Sequence, residues 1–150
     1  DLPTDFVFLG TGERPLVQQA QEALGIDVND SGRVVVNKRM QTSVPGVYAI
    51  GDVTTVPLAM GKPLPKAGAL AHRQAEVVAA NISAQWSDST VRRQFDGHGE
   101  CFLETGDGRA GFGAGNFYAD PTPQIALKAP SCLWHWGKVA FEWKWLRGWF

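Results

Sequence analysis

Twelve residues, Gln41-Thr-Ser-Val-Pro-Gly-Val-Tyr-Ala-Ile-Gly-Asp52, constrain the fold more than any other stretch of this chain. Val44-Pro-Gly46 is turn chemistry. Val47-Tyr-Ala-Ile50 is an apolar run of the length of a buried strand, and Gly51-Asp52 closes it. A strand ending on glycine lets backbone approach a ligand, and the aspartate beside it can accept hydrogen bonds from ribose-like hydroxyls. The bland alternative is an ordinary strand and turn of an α/β domain.

A helix predicted from about Lys66 to about Ala84 follows, with Pro65 ahead of it, where a missing N–H costs nothing. Ala67, Ala71, Ala75 and Ala79 form an i+4 row of small side chains that lets a backbone or a flat ligand come close. Leu70, Val77, Val78 and Ile82 supply the rest of the expected buried face. Upstream, Asp5-Phe-Val-Phe-Leu9 reads as a strand closed by Gly10-Thr-Gly12, and Leu16 to Leu24 as a short helix stopped by Gly25. Asp30-Ser-Gly32 is a turn before a strand at Arg33-Val-Val-Val36.

The chain changes character between Trp86 and Arg93. This divides it into a first unit, 1–86, and a second, 94–150. Five of the six tryptophans (134, 136, 143, 145, 149) fall in the last seventeen residues, and glycines crowd between Gly97 and Gly115. Phe95, Gly97, Cys101 and Leu103 alternate with polar residues, and Gly111 to Tyr118 follows as a partner strand. The expected element is an antiparallel hairpin turning at Gly106-Asp-Gly108. The chain then loops through Pro121, Pro123 and Pro130 into a last helix of about Leu133 to Arg147.

At ~100° per residue, Trp136, Val139, Trp143, Leu146 and Phe150 share one stripe of that helix, and Trp134, Phe141, Trp145 and Trp149 lie nearly opposite. One stripe docks the helix on its own domain. The second, taken as Trp134, Phe141, Trp145 and Trp149, needs another partner. That partner is a second copy in a homo-oligomer, the rest of a larger protein, or a membrane interface where Lys138, Lys144 and Arg147 meet anionic lipid.

Composition limits the remaining possibilities. A length of 150 residues suits one compact core. A formal net charge of −1 offers nothing to nucleic acid. Two cysteines fit a reducing compartment rather than a secreted disulfide scaffold. No signal peptide is visible from Asp1 to Phe8, and no apolar segment approaches the ~20 residues of a membrane-spanning helix. The expected location is cytoplasmic, with the option of peripheral membrane contact.

The stretch from Gln41 to Asp52 resembles the second FAD signature of two-dinucleotide-binding-domain flavoproteins, T-x-x-x-x-V-Y-A-I-G-D. Asp5 to Pro15 resembles the crossover strand leaving their NAD(H) domain. Pro65-Lys66-Ala67-Gly68, with Gln74 and Ala80-Asn81-Ile82 on the helix behind it, resembles their helix facing the flavin pyrimidine edge. The resemblance implies an α/β fold: the C-terminal half of such a flavoprotein, with FAD-domain strands and helix, an antiparallel hairpin and a Trp-rich C-terminal helix. It implies FAD as cofactor, held in part by Gly51, Asp52, Val53, Lys66, Ala67 and Gly68, with Asp52 on the ribityl chain. A helix N-terminus and a lysine both stabilise negative charge on reduced flavin; the alternative for Lys66 is a solvated lysine at a helix start. Phe95-Asp-Gly97 to Cys101-Phe102 and Lys138-Val-Ala-Phe-Glu142 look most like the sulfide:quinone oxidoreductase group, in which Cys101 matches a redox cysteine whose partner cysteines would lie upstream. That group's P-K-T-G threonine is Ala67 here.

The implied activity of the parent enzyme is electron transfer from sulfide to a quinone. The alternatives are an NADH-dependent quinone or ferredoxin-type reductase, or a non-catalytic interaction module if these residues act alone. Gly106-Asp-Gly-Arg-Ala-Gly111 satisfies G-x-G-x-x-G, but the residues after it cannot open a helix, so it reads as a hairpin turn. His98-x-x-Cys101 and Cys132-x-x-His135 have zinc-compatible spacings. The resemblance accounts for Cys101 without a metal, and no metal is expected.

Overall fold

A computed structural model describes residues 17–58 and 61–149. The strand expected at Asp5–Leu9, and the crossover read from Asp5 to Pro15, lie outside the described residues.

The first described element, α1 (Gln18–Leu24), ends where Gly25 takes φ 70° and returns its N–H to the Gln21 carbonyl. The chain turns at Asn29–Gly32 and enters β1 (Val34–Val35), which pairs in parallel with β2 (Thr54–Thr55). Val34 and Val36 point into the core while Val35 faces outward, the period of two that a strand imposes. Here expectation and structure differ. Val47–Ile50 does not join the ladder; Tyr48 makes one isolated bridge with Gln41, and the pairing passes to Thr54–Thr55. Gly51–Val53, expected as a strand end, is a single 3₁₀ turn between the two.

Helix α2 (Gly68–Trp86) carries the buried line Leu70, Gln74, Val77 and Asn81. Two of these four are polar, and each makes its hydrogen bonds to backbone. Gln74 Oε1 accepts from the Gly51 N–H at 2.7 Å. Asn81 Nδ2 donates to the Arg93 carbonyl at 3.0 Å, and its Oδ1 accepts the Arg93 N–H at 2.7 Å. These partners remove the cost of burying an amide. The core beneath α2 collects Ile26, Val34, Val36, Met40, Val56, Leu64 and Phe95.

A three-stranded antiparallel sheet follows, in the order β3 (His98–Gly106), β4 (Arg109–Asn116), β5 (Gln124–Ser131). The β3–β4 hairpin turns at Asp107-Gly108, both with positive φ, as the preferred two-residue hairpin turn requires. That accounts for the G-x-G-x-x-G match as a turn. Strand β5 replaces the expected loop. Its prolines sit before it and near its end on the sheet edge, where a missing N–H breaks no ladder.

Helix α3 (Cys132–Trp149) lies across this sheet, and its docked face is the one expected to point away. Trp134 stacks on Phe112 at 4.8 Å and 11°, and Phe141 meets Phe102 at 6.0 Å. Trp136, Trp143 and Leu146 are more than half exposed and Val139 is 38% exposed. The assignment of Trp134 and Trp145 to an external partner is thus corrected, while Phe141 touches Phe102 and Trp145 and is itself 44% exposed. The aromatic pair on the sheet, Phe102 and Phe112, selects their stripe; nothing is described of the Trp149 side chain. Among the described residues no helix is long and apolar enough to cross a membrane.

Candidate functional site

The start of α2, the face of β3 and β4, and α3 enclose an open cleft of about 1140 Å³. One wall is Lys66, Ala67, Gly68, Ala69 and His72. The opposite wall holds Cys101, Phe102 and Phe112 from the sheet and Trp134, Phe141 and Trp145 from α3. Rings follow one another along it: Phe112 to Phe102 at 5.0 Å, Phe141 to Trp145 at 5.5 Å, and Trp145 to the edge of His72 at 4.9 Å. Such a surface suits a flat ligand.

No side chain caps α2. Its first-turn bonds run from Leu70 and Ala71 back to the Ala67 carbonyl. Among the described residues the N–H groups of Gly68 and Ala69 therefore have no protein acceptor, and the helix dipole opens into the cleft. Lys66 Nζ donates to the Thr54 carbonyl. Burial holds the lysine below its ordinary range, Arg33 lowers it further, and Asp52 opposes both. On the far rim, Lys138 lies 2.7 Å from Glu142 and 3.5 Å from Glu104. The hydrogen bond to Glu142 keeps its ammonium above the usual range, with Glu104 adding to the effect. Glu104 also meets His135 Nδ1 at 3.2 Å, tying α3 to β3.

The structure brings Lys66, Ala67, Gly68 and Cys101 onto one cleft. Gly51, Asp52 and Val53 sit just outside its lining. Gly51 adopts φ 72°, and a Cβ built there would rest 3.4 Å from Ala71, so the alanine row does admit a close backbone. The Gly51 N–H goes to Gln74, its carbonyl accepts from Thr54 Oγ1 at 2.7 Å, and Arg33 donates to the Asp52 carbonyl. With the backbone of the turn engaged in this way, Asp52 and Val53 remain exposed at its tip. Cys101 is a free, exposed thiol, as is Cys132. His98 pairs with Asp96 at 3.3 Å and His135 with Glu104. Among the described residues no three His, Cys, Asp or Glu side chains gather as a metal set.

Sequence reasoning missed His72. It sits one helical turn beyond Gly68, a spacing that could have placed it on the cleft face. It also missed Trp145, assigned to the wrong side of α3.

The family of pyridine nucleotide-disulphide oxidoreductases matches residues 1–76, just over half of the chain. Mitochondrial dihydrolipoyl dehydrogenase of Mesocricetus auratus is 43% identical over 58 residues, 38% of this chain and 12% of that protein. Dihydrolipoyl dehydrogenase of Thermus scotoductus is 42% identical over 59 residues, 39% of this chain and 13% of that protein. Among solved structures, the fold is similar to sulfide:quinone oxidoreductase from Aquifex aeolicus (TM-score 0.62, 24% identity, 77% of this chain and 28% of that one). It is also similar to a ferredoxin reductase from Rhodopseudomonas palustris (TM-score 0.59, 26% identity, 77% and 26%). An FAD-dependent pyridine nucleotide-disulphide oxidoreductase from Desulfovibrio vulgaris gives TM-score 0.52 at 30% identity, over 70% and 25%. The matched part of the chain spans about an eighth of the length of these curated relatives. The family match and the cleft with its uncapped helix converge: this chain belongs to the pyridine nucleotide-disulphide oxidoreductase family, whose cofactor is FAD.

Proposed function

We propose that this chain forms the acceptor half of an FAD-dependent reductase that passes electrons from sulfide to a quinone. One observation carries the reading: Cys101 lines the same largely apolar, aromatic-walled cleft as the uncapped start of α2. FAD, when bound, supplies the two-electron redox step. The residues of this chain fit it. Gly68 and Ala69 offer backbone N–H groups to an electron-rich ring edge, Lys66 adds a positive charge, and Asp52 can accept from ribityl hydroxyls. Ala67 and Gly68 present no side chain longer than a methyl, so a planar ring can lie against the helix start. Cys101 brings a thiol to the same space, and the nucleophilic form of a thiol is its thiolate. Phe102, Phe141 and Trp145 give a flat quinone ring an apolar bed. In the balanced reaction hydrogen sulfide gives up two electrons and two protons and leaves as zero-valent sulfur, and the quinone takes up both to become the quinol.

The test is Cys101→Ser in the FAD-loaded full-length protein. Sulfide-dependent quinone reduction should fall at least ~100-fold with flavin content unchanged, since serine preserves the volume but not the thiolate. Normal turnover would remove sulfide from the reading. It would favour the NADH-dependent quinone or ferredoxin-type reductase, which the likeness to the Rhodopseudomonas protein supports. The outward stripe of α3, with Trp136, Trp143, Lys144 and Arg147, fits peripheral contact with a membrane that holds the quinone.

A further inference from the structure

Strand β3 meets α2 at one crowded point. Gly99 is buried, and a Cβ built on it would lie 2.3 Å from Leu70 Cδ2 and 3.3 Å from both Leu70 Cγ and Phe117 Cε2. Leu70 is 3% exposed and fixed in the core. It belongs to the first turn of α2, two residues beyond Gly68 at the cleft wall. Cys101 stands two residues beyond Gly99, so both project to the same side of β3. A second tie between these elements, Arg73 to Glu100 at 3.9 Å, joins two side chains that are both about half exposed. Solvent-screened pairs of this kind fix a separation poorly.

We propose that Gly99 is a positioning residue. By carrying no side chain it lets Leu70 seat against β3, and so sets the distance from Cys101 to the start of α2. This rests on the reading of Cys101 and the flavin given above. The overlap makes the spacer quantitative: 2.3 Å is about 1 Å short of an ordinary ~3.5 Å carbon contact. Leu70 Cγ and Phe117 Cε2, each at 3.3 Å, crowd the added methyl as well, and the burial of Leu70 leaves its tip little room to turn aside. Gly99→Ala therefore moves the first turn of α2 away from β3. A displacement of about 1 Å at a reacting centre can cost on the order of 100-fold in rate.

The experiment uses the full-length protein with and without FAD. It follows alkylation of Cys101 by iodoacetamide, located by mass spectrometry to separate it from Cys132, alongside flavin absorbance. Bound FAD should slow alkylation of wild-type Cys101 at least ~10-fold, as burial of a thiol under a ligand does. In Gly99→Ala flavin should be retained but the protection should shrink to about 3-fold or less, because the gap has widened. Leu70→Ala added to Gly99→Ala makes room for the methyl and should restore protection. If Gly99→Ala alone does not fold, the comparison is Leu70→Ala against the double variant, which should protect better. Full protection in Gly99→Ala, or a double variant no better than the single one, would overturn the spacer. FAD that fails to protect wild-type Cys101 would instead overturn the placement of flavin beside the cysteine, and the spacer with it. The two failures are read in different proteins.

Discussion

Tyr118 is held by the motif around Phe95-Asp96-Gly97. Its ring meets Phe95 edge-on at 5.5 Å, and Lys38 Nζ lies 4.8 Å from its centroid. Gly97, at φ 82°, leaves it room: a Cβ there would fall 2.5 Å from the tyrosine Cγ. The hydroxyl is buried with no hydrogen-bond partner among the described residues. Burial, with the Asp96 charge adding, pushes the phenol up to about 12. An unfolded tyrosine ionises near 10. From pH ~10 to ~12 the unfolded chain therefore gives up this proton first, and stability drains away as pH rises through that window. Below pH ~10 the group contributes no slope. Tyr118→Phe removes an unpartnered hydroxyl while keeping the ring. It should raise the unfolding free energy by up to about 1 kcal/mol at pH 7 and flatten the loss between pH ~10 and ~12. Denaturant titrations of both proteins across that range check it. A variant that is less stable at pH 7 would mean the hydroxyl has a partner.

At the level of elements, the sheet is built around glycines that leave no room for a side chain. A Cβ on Gly115 would lie 2.0 Å from the Gln124 carbonyl oxygen and 2.8 Å from Ile125 Cα, both backbone atoms of β5. Gly115→Ala should therefore cost at least about 1–3 kcal/mol, the range for overpacking, because backbone cannot rotate aside. A denaturation midpoint within error of wild type would contradict the β4–β5 register. Strand β5 was hidden in the sequence by its prolines. An edge strand exposed on most of its length needs no apolar alternation to announce it. The Asp107-Gly108 turn, by contrast, was legible because its chemistry is local. So was the Gly25 stop of α1. The strand read at Val47–Ile50 was misplaced because apolar runs do not say which backbone they will pair with. Both stripes of α3 were visible, but choosing between them required Phe102 and Phe112, some thirty residues away. Lys66, Ala67, Gly68 and Cys101 were legible through motifs; that they share one cleft is set by long-range packing of α2, β3 and α3, which no local motif encodes.

For the whole molecule, the face that α3 leaves uncovered is aromatic and basic. Arg147 rests 4.0 Å over the Trp143 ring, and Trp136 and Leu146 lie on the same side. A contact with anionic lipid combines apolar insertion with charge, and salt screens only the second. The FAD-loaded protein should co-sediment with vesicles containing phosphatidylserine, more strongly at low salt. Trp136→Ala with Trp143→Ala should weaken this at least ~10-fold, about 1.4 kcal/mol in binding. A protein that ignores vesicles but runs as a dimer, and becomes a monomer in the double variant, would assign the face to a second copy instead.

The paired hydrogen bonds between Asn81 and Arg93 have a consequence for how chains of this kind can diverge in length. They close a ring of backbone at its neck, so the end of α2 and the approach to β3 are referenced to each other and not to what lies between them. Residues 87–89 bond back to the last turn of α2, and 90–92, all exposed, lie outside that neck. Lengthening a surface excursion whose ends are already pinned adds only a slowly growing entropic cost. The stretch is therefore a free margin, open to insertion, tagging or cutting, while the spacing of Leu70, Gly99 and Cys101 stays as it is.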